Sequence, residues 1–347
     1  MRSSQIFSHT NHSQLKHIDI YVRGQGDQLT SSTGQVYRDL SSGLWNVNWG
    51  YNSDHYRGIY EFQSSKLHYQ SNCYHSSVDI VELAAREIVS HYSMGGVYFG
   101  TGGSDAIRVS MYMAKSYTGK SSIISHSLGY HGCEQSAILS SDLVQSVDSS
   151  TAAVIVEPIM TTSGVWGYSV EELLSLDRAR AQWGFLIIFD ETVTGLRVDL
   201  DHIIQPDIVI VSKGLTNGLF PFSATLVSDK LMEYIQTCDQ EFDYGLTMSG
   251  HPIGCALMLK SLELYQQSRA MRMELQRSIV DKLQGIVYRN HGLLFGIDVP
   301  DGALASSELK DRGYIIHNSM NTLLFVPMFI ADVADYQSFF DYIQGVV

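Results

Sequence analysis

Three short runs of consecutive apolar residues in the middle of the chain constrain its fold more than any other feature. The runs are Ala153–Val156, Phe185–Phe189 and Ile208–Val211. Runs of this length are typical of strands that are buried on both faces, as in a mainly parallel sheet. A helical pattern over residues 170–183 separates the first two runs. Strands that alternate with helices in this way predict the α/β class.

Further strand and helix patterns lie before and after these runs. Residues 104–117 follow a glycine-rich turn and are predicted to form a helix. Ser104 and Asp105 at its start are residue types that cap helix N-termini. From about residue 285, short strand patterns precede a final helical pattern, which predicts a second, smaller α+β unit. The other predicted elements are strands at 34–40, 292–298 and 322–326 and helices at 78–92, 252–267 and 333–345.

The composition bears on the class of protein and on its partners. The chain has 347 residues, of which 44% are hydrophobic and 17% charged, so it can bury a large core. Its formal net charge of -13 disfavours binding to nucleic acid or to an anionic membrane. No apolar run approaches the ~18 residues of a membrane helix, and residues 1–12 lack the apolar region of a signal peptide. We therefore expect a cytoplasmic protein with neither nucleic acid nor membrane as a partner.

Cysteines and histidines give no sign of disulfides or of a metal site. The cysteines form no CxxC pair and are expected to be reduced thiols. They are Cys73, Cys133, Cys238 and Cys255. The histidines near the start lack the spacing of metal ligands on a helix, so no metal site is predicted. They are His9, His12 and His17.

Each of the three apolar runs is followed by a polar residue that can carry chemistry. These residues are Glu157, Asp190 and the pair Ser212-Lys213. Ligands of α/β sheets bind at the carboxyl ends of the strands, where these side chains are expected to meet. A buried carboxylate at Asp190 needs a cationic partner, and a protonated pyridine nitrogen is one such partner, a helix end or a metal ion another. A partly desolvated lysine is a nucleophile toward aldehydes, although a lysine in a loop usually has no such role.

Two glycine-rich turns complete the set of candidate groups. Gly100–Ala106 runs into a predicted helix, where free backbone N–H groups form a phosphate-binding turn. An ordinary tight turn is the alternative, and neither the GxGxxG nor the Walker A pattern is present. In Gly129–Gly132, the ring of Tyr130 can lie flat against a planar cofactor or simply pack on the surface. A phosphate site, a flat aromatic ring, a carboxylate for a pyridinium nitrogen and a reactive lysine are together what pyridoxal phosphate requires.

The order of these motifs closely resembles the class III aminotransferases, which are fold-type I pyridoxal-phosphate enzymes. The family includes omega-amino-acid aminotransferases and glutamate-1-semialdehyde aminomutase, and the resemblance runs from about Gly26 to the C-terminus. It implies a mainly parallel central sheet with helices on both faces and a small α+β domain. The motifs that carry it are Gly102–Ala106, Tyr130–Gly132, Glu157-Pro158, Asp190-Glu191, Pro206-Asp207, Lys213-Gly214, Thr247 and Gly250–Pro252.

The resemblance also implies a role for each matching residue around the cofactor. Gly103 and Ser104 would bind the phosphate, together with Gly102, which stands where the family has serine. Tyr130 would stack on the ring, with His131 beside it in the same motif. The remaining implied cofactor residues are Glu157, which orders the site near the ring, Thr192, which replaces the valine that packs under the ring, and Asp190, which pairs with the pyridine nitrogen.

Lys213 would be the catalytic residue, which forms the Schiff base and moves the proton between substrate and cofactor. Thr247 would bind the phosphate of the neighbouring subunit's cofactor, which implies a homodimer with shared active sites. Trp45 lies in a segment similar to the one that lines the family's substrate pocket. The implied partners are an amine or amino acid and a keto acid or aldehyde.

The chain also departs from the family pattern in two places. Only about twenty residues separate Gly132 from Ala153, where relatives carry a much longer excursion. The usual Gly-Arg-Thr-Gly segment between Asp190 and Pro206 is missing, and Glu191–Arg197 is closer to the aminomutase version. These departures leave the substrate open, and Arg23, Arg197 and Arg289 remain candidates for binding a substrate carboxylate.

The main prediction is an aminotransferase in a specialised biosynthetic pathway. The alternatives are an aminomutase or a decarboxylase that uses the same cofactor, or a non-catalytic scaffold relative. The predicted large cofactor-binding domain spans residues 46–284. The predicted small domain combines residues 1–45 and 285–347.

Overall fold

A computed structural model describes residues 5–11, 13, 18–132 and 136–347. Cys133, His12 and His17 lie outside the described residues, as does part of the segment in which no signal peptide is predicted. The three described cysteines, Cys73, Cys238 and Cys255, are free thiols. Within the described ranges, no helix is both long and apolar enough to cross a membrane.

The strands are numbered in chain order. They are β1 (Tyr21–Gln25), β2 (Gln28–Ser31), β3 (Val36–Asp39), β4 (Gly96–Gly100), β5 (Ser122–His126), β6 (Ile138–Ser140), β7 (Thr151–Val156), β8 (Ile159–Met160), β9 (Trp166–Gly167), β10 (Leu186–Glu191), β11 (Ile208–Val211), β12 (Ser223–Val227), β13 (Tyr288–His291), β14 (Leu294–Asp298), β15 (Tyr314–Ile315), β16 (His317–Ser319) and β17 (Thr322–Phe325).

The helices are numbered in the same way. They are α1 (Ser42–Trp45), α2 (Ile59–Leu67), α3 (Asp79–Tyr92), α4 (Gly103–Thr118), α5 (Leu143–Ser146), α6 (Val170–Trp183), α7 (Asp229–Thr237), α8 (Pro252–Gln267), α9 (Arg269–Lys282), α10 (Gly302–Asp311) and α11 (Gln337–Val346). Three 3-10 turns span Asp54–Tyr56, Lys213–Thr216 and Val333–Tyr336. Every strand and helix predicted from the sequence is present, with bounds that differ by a few residues.

A seven-stranded sheet in the order β4-β12-β11-β10-β7-β5-β6 forms the centre of the molecule. Its pairs are parallel except for those of β12, which runs against both of its neighbours. Alternate residues of β10 pack in different cores, Leu186 and Ile188 with α4 and Ile187 and Phe189 with α3, α6 and α8. The sheet is therefore covered by helices on both faces, as predicted, and this explains why its strands are apolar throughout.

The strand order brings the three candidate polar residues to one edge of this sheet. Strands β7, β10 and β11 are neighbours, with Phe189 paired to Val156 and Asp190 paired to Ile210. Glu157, Asp190 and Lys213 follow or end these strands, so all three lie at the carboxyl edge. Topology thus assembles residues that are up to 56 positions apart in the sequence (213 − 157).

Two four-stranded sheets lie outside the central one. Their orders are β1-β2-β3-β15 and β13-β14-β17-β16. Tyr314 pairs with Arg38 and Ile315 with Asp39, so a C-terminal strand completes the N-terminal sheet. This pairing is compatible with a small unit built from both chain ends, although the exact domain boundaries stay a prediction.

Helix α4 begins differently from the sequence prediction. Its N-cap is Gly102, and no side chain caps it. Ser104 and Asp105 instead lie in the first turn, where the Asp105 carboxylate accepts the N–H of Thr101 at 3.0 Å and the hydroxyl of Tyr244 at 2.9 Å. The prediction that Ser104 or Asp105 caps the helix was wrong, because the helix already begins at Gly103 and both side chains therefore lie inside its first turn.

The turn α1 has left-handed backbone angles, which L-residues rarely adopt in succession. The φ angles of Ser42, Gly43, Leu44 and Trp45 are 48°, 58°, 60° and 65°. Buried Asp39 holds the turn, because its carboxylate accepts the N–H groups of Ser41 at 2.8 Å and Gly43 at 2.6 Å. The hydroxyl of Tyr51 donates to the same carboxylate at 2.7 Å. Tertiary contacts therefore maintain a strained segment that ends at Trp45.

We predict that Asp39→Ala lowers the free energy of unfolding by about 3 kcal/mol, because it leaves three donors without an acceptor, one of them buried and two partly buried. Urea denaturation followed by circular dichroism measures the change. The control is Asp54→Ala, which removes an exposed carboxylate whose partner is Arg57 and should cost less than about 0.5 kcal/mol. Equal losses in the two variants would contradict the role of Asp39.

Candidate active site

A cavity of about 320 Å³ opens at the carboxyl edge of the central sheet. Nearly all of the residues predicted to hold the cofactor line it. These are Gly102, Gly103, Ser104, Tyr130, His131, Glu157, Asp190, Thr192 and Lys213. The structure therefore brings together side chains from the ends of β7, β10 and β11 and from the two glycine-rich turns.

Asp190 is buried at the end of β10 and is held by two hydrogen bonds. Its carboxylate lies 2.8 Å from Nδ1 of His131 and accepts the N–H of Thr192 at 3.1 Å. Burial favours the neutral acid, but the hydrogen bond and charge of His131 outweigh it and lower the pKa of Asp190. Burial opposes the charged imidazole too, yet Asp190 raises the pKa of His131. The pair thus keeps an ionised carboxylate in a site that water hardly reaches.

Glu191, the next residue, serves a different environment. The Glu191 carboxylate lies 2.6 Å from Nε2 of His202. Both residues line a separate cavity, which Tyr265 also borders. Successive side chains of a strand point to opposite faces, so only one carboxylate of the Asp190-Glu191 pair can enter the candidate site.

Glu157 is a second buried carboxyl group in the cavity wall. Burial, and next the negative charge of Asp190, raise its pKa to about 7. Its Oε1 accepts the backbone N–H of Tyr130 at 2.6 Å, which fixes the turn that carries the aromatic ring. Glu157 therefore fixes the backbone of Tyr130, and its carboxyl group gains or loses a proton near neutral pH.

Lys213 lies two residues beyond the end of β11, after Ser212, and is largely buried. Burial lowers the pKa of its amine to about 8, an effect that Asp190 and Glu157 oppose and Arg197 strengthens. Its φ angle of 41° lies in the left-handed region, which is strained for a side chain of this size. The amine nitrogen stands 4.5 Å from the ring centroid of Trp45. The neutral, nucleophilic fraction of the amine near neutral pH is therefore much larger than that of an exposed lysine.

The opposite end of the cavity is suited to a phosphate. The first backbone N–H groups of α4 lack partners within the helix and lie at the positive end of its dipole. A Cβ at Gly103 would lie 3.2 Å from the methyl group of Thr192, which shows how closely the turn approaches that side chain. At Gly132, with a φ angle of 72°, a Cβ would collide with the Ser104 hydroxyl. Both glycines thus keep space between the turns, and the residues present fit pyridoxal phosphate.

Two predicted residues do not line the cavity. Trp45 is 6% exposed and lies beside the Lys213 amine, with its indole Nε1 unpartnered, while its neighbour Asn46 reaches the cavity wall. Thr247 is exposed, and its carbonyl accepts the hydroxyl of Tyr69 at 2.6 Å.

None of the candidate arginines lines the described part of the cavity wall. Arg197 is buried against Asn48 and the carbonyl of Pro327. Arg289 is paired with Asp298 at 2.6 Å, and Arg23 lies on β1. The described chain therefore supplies no arginine of its own to this wall for a substrate carboxylate.

Sequence reasoning missed several residues of the wall. They are Asn46, Ile107, Thr162, Val193, Ser212 and Phe220–Phe222, whereas Thr101 and Gly132 belong to the two predicted turns. Ser212 could have been found, because it directly precedes Lys213 at the strand end. Phe220–Phe222 had no periodic signal, because the segment is an irregular connection. It reaches the cavity wall because it leads into β12, which pairs with β11.

Glu157 makes the unfolding equilibrium depend on pH. Its folded pKa of about 7 exceeds the ordinary value of 4.5. The native state therefore holds an extra proton between these values, and stability falls as pH rises through this interval. Glu157→Gln should abolish on the order of 3 kcal/mol of that fall. Urea denaturation of the cofactor-free protein at several pH values between 4.5 and 7.5 measures it, and parallel curves for the two proteins would refute the assignment.

Comparison with known proteins places these observations in context. The model of the family Aminotransferase class-III matches residues 9–146 and 135–347. Among curated relatives, acetylornithine aminotransferase of Archaeoglobus fulgidus is 25% identical over 337 residues, covering 86% of this chain and 88% of that protein. Omega-aminotransferase of Caulobacter vibrioides is 26% identical over 359 residues, covering 78% and 80%.

Solved structures of transaminases have the same fold. The PMP-bound form of an aminotransferase from Vibrio fluvialis superposes with a TM-score of 0.87 at 20% identity, covering 99% of this chain and 95% of that one. An (S)-enantioselective omega-transaminase from Thermomicrobium roseum gives a TM-score of 0.85 at 22% identity, covering 98% and 95%. The predicted fold-type I architecture is thereby confirmed.

Proposed function

Because the chain belongs to the class III aminotransferase family and is a pyridoxal-phosphate-dependent enzyme, we propose that Lys213 holds the cofactor as a Schiff base while Asp190 binds its pyridine nitrogen. One observation carries this proposal. The Lys213 amine and the Asp190 carboxylate, from neighbouring strands, enter the same cavity, whose other end is a glycine turn at a helix N-terminus. When bound, pyridoxal phosphate supplies an electron-accepting ring that makes the Cα–H bond of an amine substrate easier to break.

Lys213 is proposed to take and return the proton at the substrate's Cα. A pKa of about 8 supports this role, since an amine that is partly neutral near pH 7 both accepts and releases protons. Its left-handed backbone aims the side chain from the strand end, and its strain is typical of functional positions.

Asp190 and His131 are proposed to hold the pyridine nitrogen in its protonated form. The lowered pKa of Asp190 supports an ionised carboxylate there. His131 acts through its 2.8 Å hydrogen bond to Asp190, which orients the carboxylate. Glu157 acts on the same ring indirectly, because it fixes the backbone of Tyr130.

The remaining cofactor contacts are proposed from the cavity wall. Gly102, Gly103 and Ser104 bind the phosphate, while Tyr130 and Thr192 flank the ring. Trp45 closes the substrate side next to the Lys213 amine, a role that the 4.5 Å contact supports. We propose amine or amino-acid donors and keto-acid or aldehyde acceptors, in a specialised biosynthetic pathway.

We further propose a homodimer in which Thr247 binds the phosphate of the partner's cofactor. Its exposure, away from the wall of its own chain's cavity, supports such a contact. We also propose the domain division at residues 46–284 against 1–45 and 285–347, which the pairing of β3 with β15 supports. A cytoplasmic location is proposed as well, supported by the three described free thiols.

The assignment of Lys213 predicts a chromophore that depends on this residue. Holoenzyme should be yellow, and borohydride should bleach it and attach the cofactor covalently to the peptide that contains Lys213. Lys213→Ala should lose the reducible band. Lys260→Ala is the control, because Lys260 lies on α8 and pairs with Glu263 at 3.0 Å. A reducible chromophore that survives in Lys213→Ala would disprove the assignment.

The aminotransferase reaction itself predicts a half-reaction. Adding an amine donor without any acceptor should convert the visible absorbance to the shorter wavelength of the pyridoxamine form and release one carbonyl product per site. A keto acid should then restore the original spectrum. A panel of amines, ω-amino acids and α-amino acids identifies the donor class. Turnover of a single amino-aldehyde substrate without any acceptor would instead establish the aminomutase alternative.

A further inference from the structure

Arg197 is a buried cation without an anionic partner. The residue is 2% exposed, and no carboxylate of the described chain forms an ion pair with its guanidinium. The guanidinium donates to Oδ1 of Asn48 and, at 3.1 Å, to the carbonyl of Pro327, while Nε has no partner. The ring of Phe329 lies 5.4 Å from its central carbon.

Such an arrangement is costly, because a buried charge normally requires a counter-charge. Burial lowers the pKa of Arg197 to about 9, and the more distant groups Asp39 and Tyr265 compensate only in part. A hydrophobic side chain of similar volume would avoid this cost. The contacts of Arg197 therefore call for an explanation other than stability.

Asn48, a hydrogen-bond partner of Arg197, also contacts the turn that carries Lys213. The Asn48 side-chain amide also donates to the carbonyl of Leu196 at 3.0 Å, and the backbone carbonyl of Asn48 accepts the N–H of Phe329 at 2.7 Å. The same amide packs against Gly214, where a Cβ would come within 2.5 Å of Nδ2. One side chain, Asn48, thus joins Arg197 to the residue that follows Lys213.

Neighbouring contacts fix the far end of the same turn. The N–H of Trp49 donates to Oδ1 of Asn217 at 2.8 Å, and the Asn217 amide donates to the carbonyl of Gly50 at 3.0 Å. The segment Asn48–Gly50 therefore contacts the Lys213–Thr216 turn at both ends. Arg197 links this segment to Pro327, because its guanidinium donates both to Asn48 and to the carbonyl of Pro327.

We propose that Arg197 is a positioning residue for Lys213: through Asn48 it holds the Lys213 turn in place, and it keeps a buried guanidinium without a carboxylate partner next to that segment. The proposal deepens the proposed function, since it rests on Lys213 as the Schiff-base residue. The charged groups that act on Lys213 are Asp190 and Glu157, which favour its protonation, and Arg197, which opposes it. Trp45 is the aromatic ring beside it.

The first test removes the charge. In holoenzyme, the change of visible absorbance with pH reports protonation of the Lys213 nitrogen. Arg197→Met should raise the midpoint of that change by roughly half a pH unit or more, because a nearby cation is lost. The urea midpoint of the cofactor-free protein should change little, since the loss of a buried unpaired charge offsets the two acceptors, Asn48 Oδ1 and the Pro327 carbonyl, that lose their donor.

Arg272 is a matched control, because it lies against the same aromatic ring, Phe329, as Arg197 does. Arg272 is also buried, and its guanidinium is 5.6 Å from the ring of Phe329, but it pairs with Asp199 at 2.7 Å and does not contact Asn48. Arg272→Met should therefore leave the absorbance midpoint unchanged, whatever it does to stability. Equal midpoints for Arg197→Met and Arg272→Met would overturn the proposal.

A second variant retains the cation. Arg197→Lys keeps a positive charge at this position and should shift the absorbance midpoint less than Arg197→Met does. Equal shifts in the two variants would contradict a role for the charge. If the unmodified protein formed no borohydride-sensitive chromophore at all, the proposed function would fail rather than the role of Arg197.

Discussion

The carboxylate of Asp190 ends a strand that water hardly reaches, and it stays charged because the imidazole of His131 lies 2.8 Å away. An ion in such a place is tolerated only when a partner compensates for lost hydration. His131 sits on the turn that also carries Tyr130, and Glu157 binds the backbone of that turn. Two carboxyl groups at neighbouring strand ends, Asp190 and Glu157, therefore hold the turn that carries the ring of Tyr130.

Burial opposes the charge of Lys213 as well, and there its effect prevails, because it lowers the pKa of the amine to about 8. Its amine lies between acidic groups of the same cavity and a buried arginine behind the turn, so its proton affinity reflects both. The N-terminal segment takes part in this balance. The left-handed turn at Ser42–Trp45 brings the Trp45 ring to the amine, and Asn48 packs against Gly214. Residues far apart in the chain thus control a single nitrogen atom.

The sequence predicted the features that depend on local pattern. Continuous apolar runs predicted the central strands, and the polar residues at their ends predicted the place of Asp190 and Lys213. The predictable part ended where long-range contacts decide the structure. The turn at Ser42–Trp45 depends on Asp39 and on hydrogen bonds to Leu324 and Val326, and burial of Arg197 depends on Asn48 and Pro327. Strand β12 escaped prediction because its short segment follows a turn and runs against its neighbours.

The central claim is that Lys213 and Asp190 act on one bound cofactor from neighbouring strand ends. A crystal structure of the protein grown with pyridoxal phosphate measures this most directly. The account predicts continuous density between the Lys213 amine nitrogen and the cofactor, with the pyridine nitrogen within hydrogen-bond distance of Asp190 and the phosphate at the start of α4. A cofactor attached to another lysine, or one whose pyridine nitrogen faces away from Asp190, would contradict it.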